Sequence, residues 1–191
     1  VMFTTYAVNP AGDWDAWSIW SLRAKILGGD AALSSRAWSP MLSGTHPEYP
    51  LLVSGFIGRC WAYGGDTSLF APEVVSYLFW IALLAVAGSG MAQVRGGVMG
   101  LVFALILSTS PILLQQVPAQ YADIPLAAYC LASLLLLLQK EPLWAGVLAG
   151  LAGFTKDEGI VFFVAMSLAV DLFERTEIKK FAAGLATPAL V

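Results

Sequence analysis

Residues Val74–Gln93, "VVSYLFWIALLAVAGSGMAQ", run for twenty positions without a charge. At 1.5 Å per residue they make a helix about 30 Å long, the thickness of a bilayer's hydrocarbon core. Working outward from that stretch, the runs Gly97–Gln115, Ile124–Gln139, Pro142–Phe154 and Gly159–Phe173 are also apolar, and Phe181–Val191 begins another. The chain of 191 residues is 58% hydrophobic and only 12% charged, with a mean hydropathy of +0.74. A soluble domain of this size is not so apolar, and the composition reads as a polytopic membrane protein. The links "VRG", "QVPAQYAD", "KE", "TKDE" and "ERTEIKK" are short. Lipid admits only helices and closed barrels, so the predicted fold is all-α, a polytopic transmembrane helical bundle running up and down.

Pro142–Phe173 is not read as one helix, because Lys156, Asp157 and Glu158 interrupt it and each charge at mid-bilayer costs about 2.5–3.5 kcal/mol. A turn there leaves Pro142–Thr155 about 21 Å long, short of the roughly 30 Å core. The Lys156 turn is therefore expected to be sunk in a protein-lined cavity. Counting crossings puts Arg95, Lys140, Arg175, Lys179 and Lys180 on one side, and Asp123 and Lys156 on the other with the long opening segment. By the positive-inside rule the first group faces the cytoplasm. The chain thus divides into an external first loop with interfacial helices, 1–73, and a transmembrane bundle, 74–191. Its opening at Val1 and its close on an apolar run read as a chain cut at both ends, in which a missing signal peptide carries no weight.

A net charge of −3 and a pI near 5.0 give no footprint for nucleic acid. Cys60 and Cys130 fit neither a disulfide framework nor a zinc site. Within the first loop, Trp14, Trp17, Trp20, Ala24 and Leu27 recur at helical spacing opposite Ser18, Arg23 and Lys25, as in a helix lying in the membrane interface. A second short helix runs from Pro50 to Tyr63 and ends at Gly64-Gly65. Its alternative, a crossing helix, is the poorer reading with Arg59 inside.

The count gathers four polar motifs on one face: "GDWDAW" (12–17), "THPEYP" (45–50), "QYADIP" (120–125) and "FTKDEG" (154–159). Transfer of a sugar from a polyprenyl phosphate to a hydroxyl needs a carboxylate base at the membrane surface and cations for the departing phosphate. In order and surroundings the motifs resemble the GT-C superfamily of membrane glycosyltransferases, most closely glycosyltransferase family 39, related to protein O-mannosyltransferases and the lipid A aminoarabinose transferase. The resemblance covers nearly all of the chain. It implies an outward-facing site in a bacterial inner membrane. There a polyprenyl-phosphate sugar would be transferred with inversion to a lipid, glycan or protein acceptor, surrounded by membrane lipids.

By the same resemblance Asp15 is the base and Asp123 the second catalytic acid. His46, Lys156 and, more loosely, Arg23 and Lys25 hold the phosphate. Asp13, Glu48 and Tyr121 complete the substrate-binding candidates. Where the family has Asp-Glu this chain has Asp15-Ala16, so the second acid is missing unless Asp13 replaces it. No cofactor is expected, and a divalent metal at Asp15, Glu48 and His46 is weighed but not adopted. Each residue also has a plainer reading. Asp13 can cap a helix with Asp15 in its first turn, Asp123 can start the helix containing Pro125, His46 can be a polar loop residue and Glu48 a helix-start or rim residue. Lys156 can snorkel, and the tryptophans can be interface anchors. The competing function is a non-enzymatic transporter, which would place its charges near mid-membrane along a substrate path.

Overall fold

The computed structural model describes residues 5–6, 8–29 and 35–190. Val191, the last residue of the final apolar run, lies outside them. All regular structure among the described residues is helical, with no strand. A π-helical segment, Ala16–Ser21, continues into α1 (Leu22–Leu27), and α2 (Leu52–Gly64) follows a loop with two 3₁₀ turns. The remaining helices are α3 (Phe70–Arg95), α4 (Gly97–Ser108), α5 (Pro111–Ala119), α6 (Asp123–Leu138), α7 (Pro142–Thr155), α8 (Asp157–Phe173) and α9 (Ile178–Ala186).

The deciding stretch is helical throughout, extended by four residues at its start and two at its end. Among the described residues α3, 26 residues long with a mean hydropathy of 1.9 over its most apolar stretch, is the single unbroken helix long and apolar enough to cross a membrane. The predicted span Gly97–Gln115 is instead broken, with α4 and α5 bent by 64°. The cause is Pro111 at the first turn of α5, after Ser110 in an extended conformation. A proline disfavours the helical region for the residue before it. Helices α6, α7 and α8 hold 16, 14 and 17 residues, about 21–26 Å each, so the bundle mixes one long span with shorter helices. Large apolar side chains face outward along it, among them Leu105 (58% exposed), Ile106 (64%), Val161 (71%) and Leu172 (74%). Water does not tolerate such a belt, whereas lipid covers it.

The connections turn sharply. Lys140, at φ 63°, reverses the chain between α6 and α7, and a single extended residue, Lys156 (φ −161°, ψ 158°), separates α7 from α8. Small residues then let helices meet at backbone distance. A Cβ on Gly159 would stand 1.9 Å from the Ala152 carbonyl oxygen, and one on Gly184 2.0 Å from that of Leu143. The Lys140 ammonium pairs with Glu174, and Lys156 pairs with Asp123, so the helix ends sort into two poles. One carries Arg95, Lys140 and Arg175–Lys180, and the other carries Asp123 and Lys156.

The first loop forms a helical layer on the second pole. Ile19, Trp20, Ala24, Val53, Ile57 and Trp61 bury against Val75 and Ala122. The expected second helix is present as α2, closed by Gly65 at φ 74° with its N–H on the Trp61 carbonyl. The expected two-faced first helix is not. Trp14 (61%) and Trp17 (47%) are exposed, but Trp20 is 1% exposed, and Ser18 and Arg23, placed on the polar face by the sequence, are 2% and 3% exposed. The π-helical segment explains the difference, since i→i+5 bonding shifts every later side chain out of the register a 3.6-residue period assumes.

Candidate functional site

Two turns bring the acidic motif to the bundle. Helix α5 ends at Gln120, which adopts the left-handed conformation (φ 58°) with its N–H on the Val117 carbonyl. The Gln120 side-chain amide donates to the Pro10 carbonyl at 3.1 Å, and the Asp13 N–H donates to the Ala119 carbonyl at 3.2 Å. Gly12 permits this approach. It sits at φ +72°, and a Cβ there would lie 2.8 Å from the Ala119 oxygen. "GDWDAW" is thereby tied to "QYADIP", and the Tyr121 hydroxyl donates to Asp13 Oδ2 at 3.5 Å.

On the other side of Tyr121, α6 begins with Asp123 in its first turn. Lys156 Nζ lies 3.1 Å from Asp123 Oδ1 and 3.4 Å from Glu158 Oε1, with the lysine side chain 13% exposed. Burial would lower the Lys156 pKa, but the hydrogen bond and charge of Asp123, helped by Glu158, hold it above its ordinary value. The ammonium is therefore charged at neutral pH. Of the three N–H groups an ammonium carries, one hydrogen bond to Asp123 and an ion pair with Glu158 occupy two at most among the described residues. The turn expected at Lys156 is present, and it carries a mostly covered cation at the apex of the α7–α8 hairpin.

Asp15 joins these groups by field. Burial raises the Tyr121 phenol, and the charges of Asp13, Asp15 and Asp123 raise it further. The Tyr49 phenol is raised by burial and by Glu158, Asp157 and Asp15 against the lowering effect of Lys156. Both tyrosines thus lie within electrostatic reach of Asp15, and Tyr49 also within reach of the Lys156 turn. Asp15 is half-buried and has no ion-pair partner among the described residues, while Asp13 is exposed at the helix start. The Asp13 carbonyl accepts from Ala16 N–H at 3.0 Å, which fits the plainer reading of Asp13 as a helix-start residue, though its carboxylate is taken by Tyr121.

The remaining candidates are placed differently. Arg23 does not face the acids. It donates to the carbonyls of Tyr49 (2.7 Å), Thr45 (3.3 Å) and His46, and burial lowers its pKa against the opposing charge of Glu48. Lys25 is exposed in a separate hollow of about 280 Å³ between α1 and α2, beside Asp66 and Thr67, and does not join the others. His46 Nδ1 lies 2.9 Å from Glu48 Oε1. Glu48 is held below the usual carboxylate range by its own backbone N–H and then by His46. No group of three His, Cys, Asp or Glu side chains suited to a metal ion occurs among the described residues, so Asp15, Glu48 and His46 do not assemble the metal site weighed from the sequence.

Sequence reasoning missed Tyr49. Its ring stacks with His46 (4.8 Å between centroids) and with the buried Trp20 (5.7 Å). It also lines a groove of about 580 Å³ with Pro47, Glu48, Pro50, Leu51 and, from the bundle, apolar residues that include Gly150, Gly153 and Phe154. The available signal was the aromatic residue between Pro47 and Pro50, two residues that stiffen the loop.

The model of glycosyltransferase family 87 matches residues 66–191. No curated protein and no solved structure matches the chain. The match includes Tyr121, Asp123 and Lys156 and leaves Asp13, Asp15, Arg23, Lys25, His46 and Glu48 outside it. It gives nothing that favours family 39, to which the motifs pointed, but it supports the coarser reading of a membrane glycosyltransferase over a transporter. Matched over well more than half of its length, the chain belongs to glycosyltransferase family 87.

Proposed function

We propose that the chain transfers a sugar from a polyprenyl-phosphate donor to an acceptor hydroxyl, at the pole where the first loop covers the bundle. The observation that carries this reading is a juxtaposition. A covered cation, Lys156, stands 3.1 Å from Asp123, and its charge, like that of Asp15, reaches Tyr49, which lines a largely apolar groove running onto α7 and α8. A donor made of an apolar tail, an anionic phosphate and a polar sugar has the same sequence of chemistries.

In this mechanism the lipid tail lies in the groove and the phosphate reaches the free N–H of Lys156. Asp15, unpaired and half-buried, takes the proton of the acceptor hydroxyl as its oxygen attacks the anomeric carbon from the face opposite the phosphate. The C–O bond to the phosphate breaks in the same displacement, its electron pair leaves with the phosphate, and the anomeric configuration inverts. Asp123 holds Lys156 in place and balances its charge between turnovers. A preorganised cation at the point where negative charge develops is the usual large contribution to such a step. Because Arg95, Lys140 and Arg175–Lys180 share the opposite pole, the positive-inside rule turns this site outward. Residues 1–73 then form the external loop over the 74–191 bundle, in a bacterial inner membrane on this reading.

The test is transfer by the full-length protein in liposomes from a polyprenyl-phosphate sugar and, separately, from the matching nucleotide sugar. The reading expects label to move from the lipid donor only. Use of the nucleotide sugar without a lipid carrier would overturn it.

A further inference from the structure

Arg23 is 3% exposed, and a buried guanidinium is costly unless its donors are met. Here they are met by backbone. It reaches the carbonyls of Thr45, His46 and Tyr49 across more than twenty residues of sequence, and it makes no ion pair among the described residues. Three carbonyls converging on one planar fork fix the loop's path, which a single-point donor such as lysine cannot reproduce. The path is not a relaxed one, since His46 is held at φ 51°, a region that non-glycine residues seldom occupy. Its effect is to carry Tyr49 to the groove that Gly150 and Gly153 also line, within reach of the charges of Lys156 and Asp15.

We propose that Arg23 is a positioning residue that holds the Thr45–Tyr49 loop over the groove, so that Tyr49 closes the wall where the donor's lipid tail meets its phosphate. This rests on the donor reading above, but differs from the expectation that Arg23 touches phosphate. A residue acting through Tyr49 governs how well the donor is bound. It leaves the proton transfer at Asp15 alone.

The experiment uses the full-length protein in liposomes with a polyprenyl-phosphate sugar at varied concentration, comparing wild type, Arg23→Lys, Arg23→Met and Tyr49→Ala at matched folded amounts. Arg23→Met is expected to raise the donor KM about tenfold, the effect of losing roughly one charged hydrogen bond's worth of order, with kcat within about threefold. Arg23→Lys should fall between it and wild type. Tyr49→Ala should raise KM to a similar degree, and adding Arg23→Met to it should change little more, because both act through one loop. If Arg23→Met does not fold, Arg23→Lys and Tyr49→Ala decide the matter on the same readout. A donor KM unchanged in the folded arginine variants overturns the proposal, as does a fall in kcat alone. A wild-type protein that ignores the lipid donor overturns the proposed function instead, and this inference with it.

Discussion

Replacing Lys156 by methionine removes the mostly covered cation that pairs with Asp123 while keeping the length of the side chain. The ammonium stands 3.1 Å from Asp123 and 3.4 Å from Glu158. Hydrogen bonds to charged groups contribute about 1.5–3 kcal/mol. One such bond lost to the departing phosphate becomes a fall of about 10- to 150-fold in kcat/KM for the lipid donor, at 1.36 kcal/mol per decade. The effect on folding is smaller. Breaking a fully buried pair costs about 3–5 kcal/mol and an exposed one about 0–1. Since the Asp123 side chain is 45% exposed and its carboxylate can take up water, a loss of about 1–2 kcal/mol lies between those limits. The assay is donor-dependent transfer by the full-length variant, corrected for the folded fraction from its melting curve. Lys156→Arg, which keeps the charge, should retain most of the activity. Donor kinetics unchanged in a folded Lys156→Met protein would refute the argument and leave the lysine as a snorkelling residue.

Four further outcomes are expected. Because the Lys156 pKa is raised, its ion pair with Asp123 contributes fully below the ordinary lysine value of about 10.5 and is lost only as pH rises through the still higher folded value. Transfer should therefore show no alkaline fall below pH ~9.5 that Lys156→Arg removes, and a fall of that kind would place the lysine's pKa far lower. Gly184→Ala drives a Cβ to 2.0 Å from the Leu143 carbonyl oxygen and should destabilise the α7–α9 contact by about 2 kcal/mol or more. Gly55→Ala, with nothing within 4 Å of its added carbon, should be neutral or stabilising by up to about 1 kcal/mol; equal melting temperatures for the two would contradict the close packing. A cysteine at exposed Asp66 should react with an impermeant reagent from outside, and one at exposed Arg95 only after the membrane is opened, whereas equal labelling would defeat the crossing count.

What could be read from the sequence followed what is local. The charge-free run at Val74–Gln93 became α3, and the Gly64-Gly65 stop ended α2 as expected, because length, hydropathy and a left-handed glycine act on the chain directly. The Lys156 turn was also legible, since three consecutive charges cannot sit inside a span. Pro111 was visible but was passed over inside an apolar run, and it bends the second span. The π-helical segment left no mark in the hydrophobic pattern, so the buried Ser18 and Arg23 were assigned to the polar face. Arg23 could not be assigned from sequence at all, since its partners are backbone carbonyls more than twenty residues away, and carbonyls carry no side-chain signature. Tyr49 was missed for the complementary reason. Its importance comes from neighbours in α1, α7 and α8, not from a motif. Asp123 and Lys156, lying at the starts of α6 and α8 at one pole, needed only the crossing count to be brought together.

The measurement that bears most directly on the acidic pole as a site of sugar transfer is the turnover of Asp15→Asn beside Asp13→Asn. Both are compared in the full-length protein with a polyprenyl-phosphate sugar at matched expression. Asparagine keeps the size of Asp15 and removes its capacity to take a proton, so kcat should fall by about 10²- to 10⁴-fold, the usual contribution of a general base, while donor binding is retained. Asp13→Asn keeps an oxygen to accept from the Tyr121 hydroxyl and remains a good helix-start residue, so it should lose less than about tenfold. A severe loss at Asp13 with a mild one at Asp15 would reverse the two roles, and mild losses at both would contradict catalysis by the acidic motif.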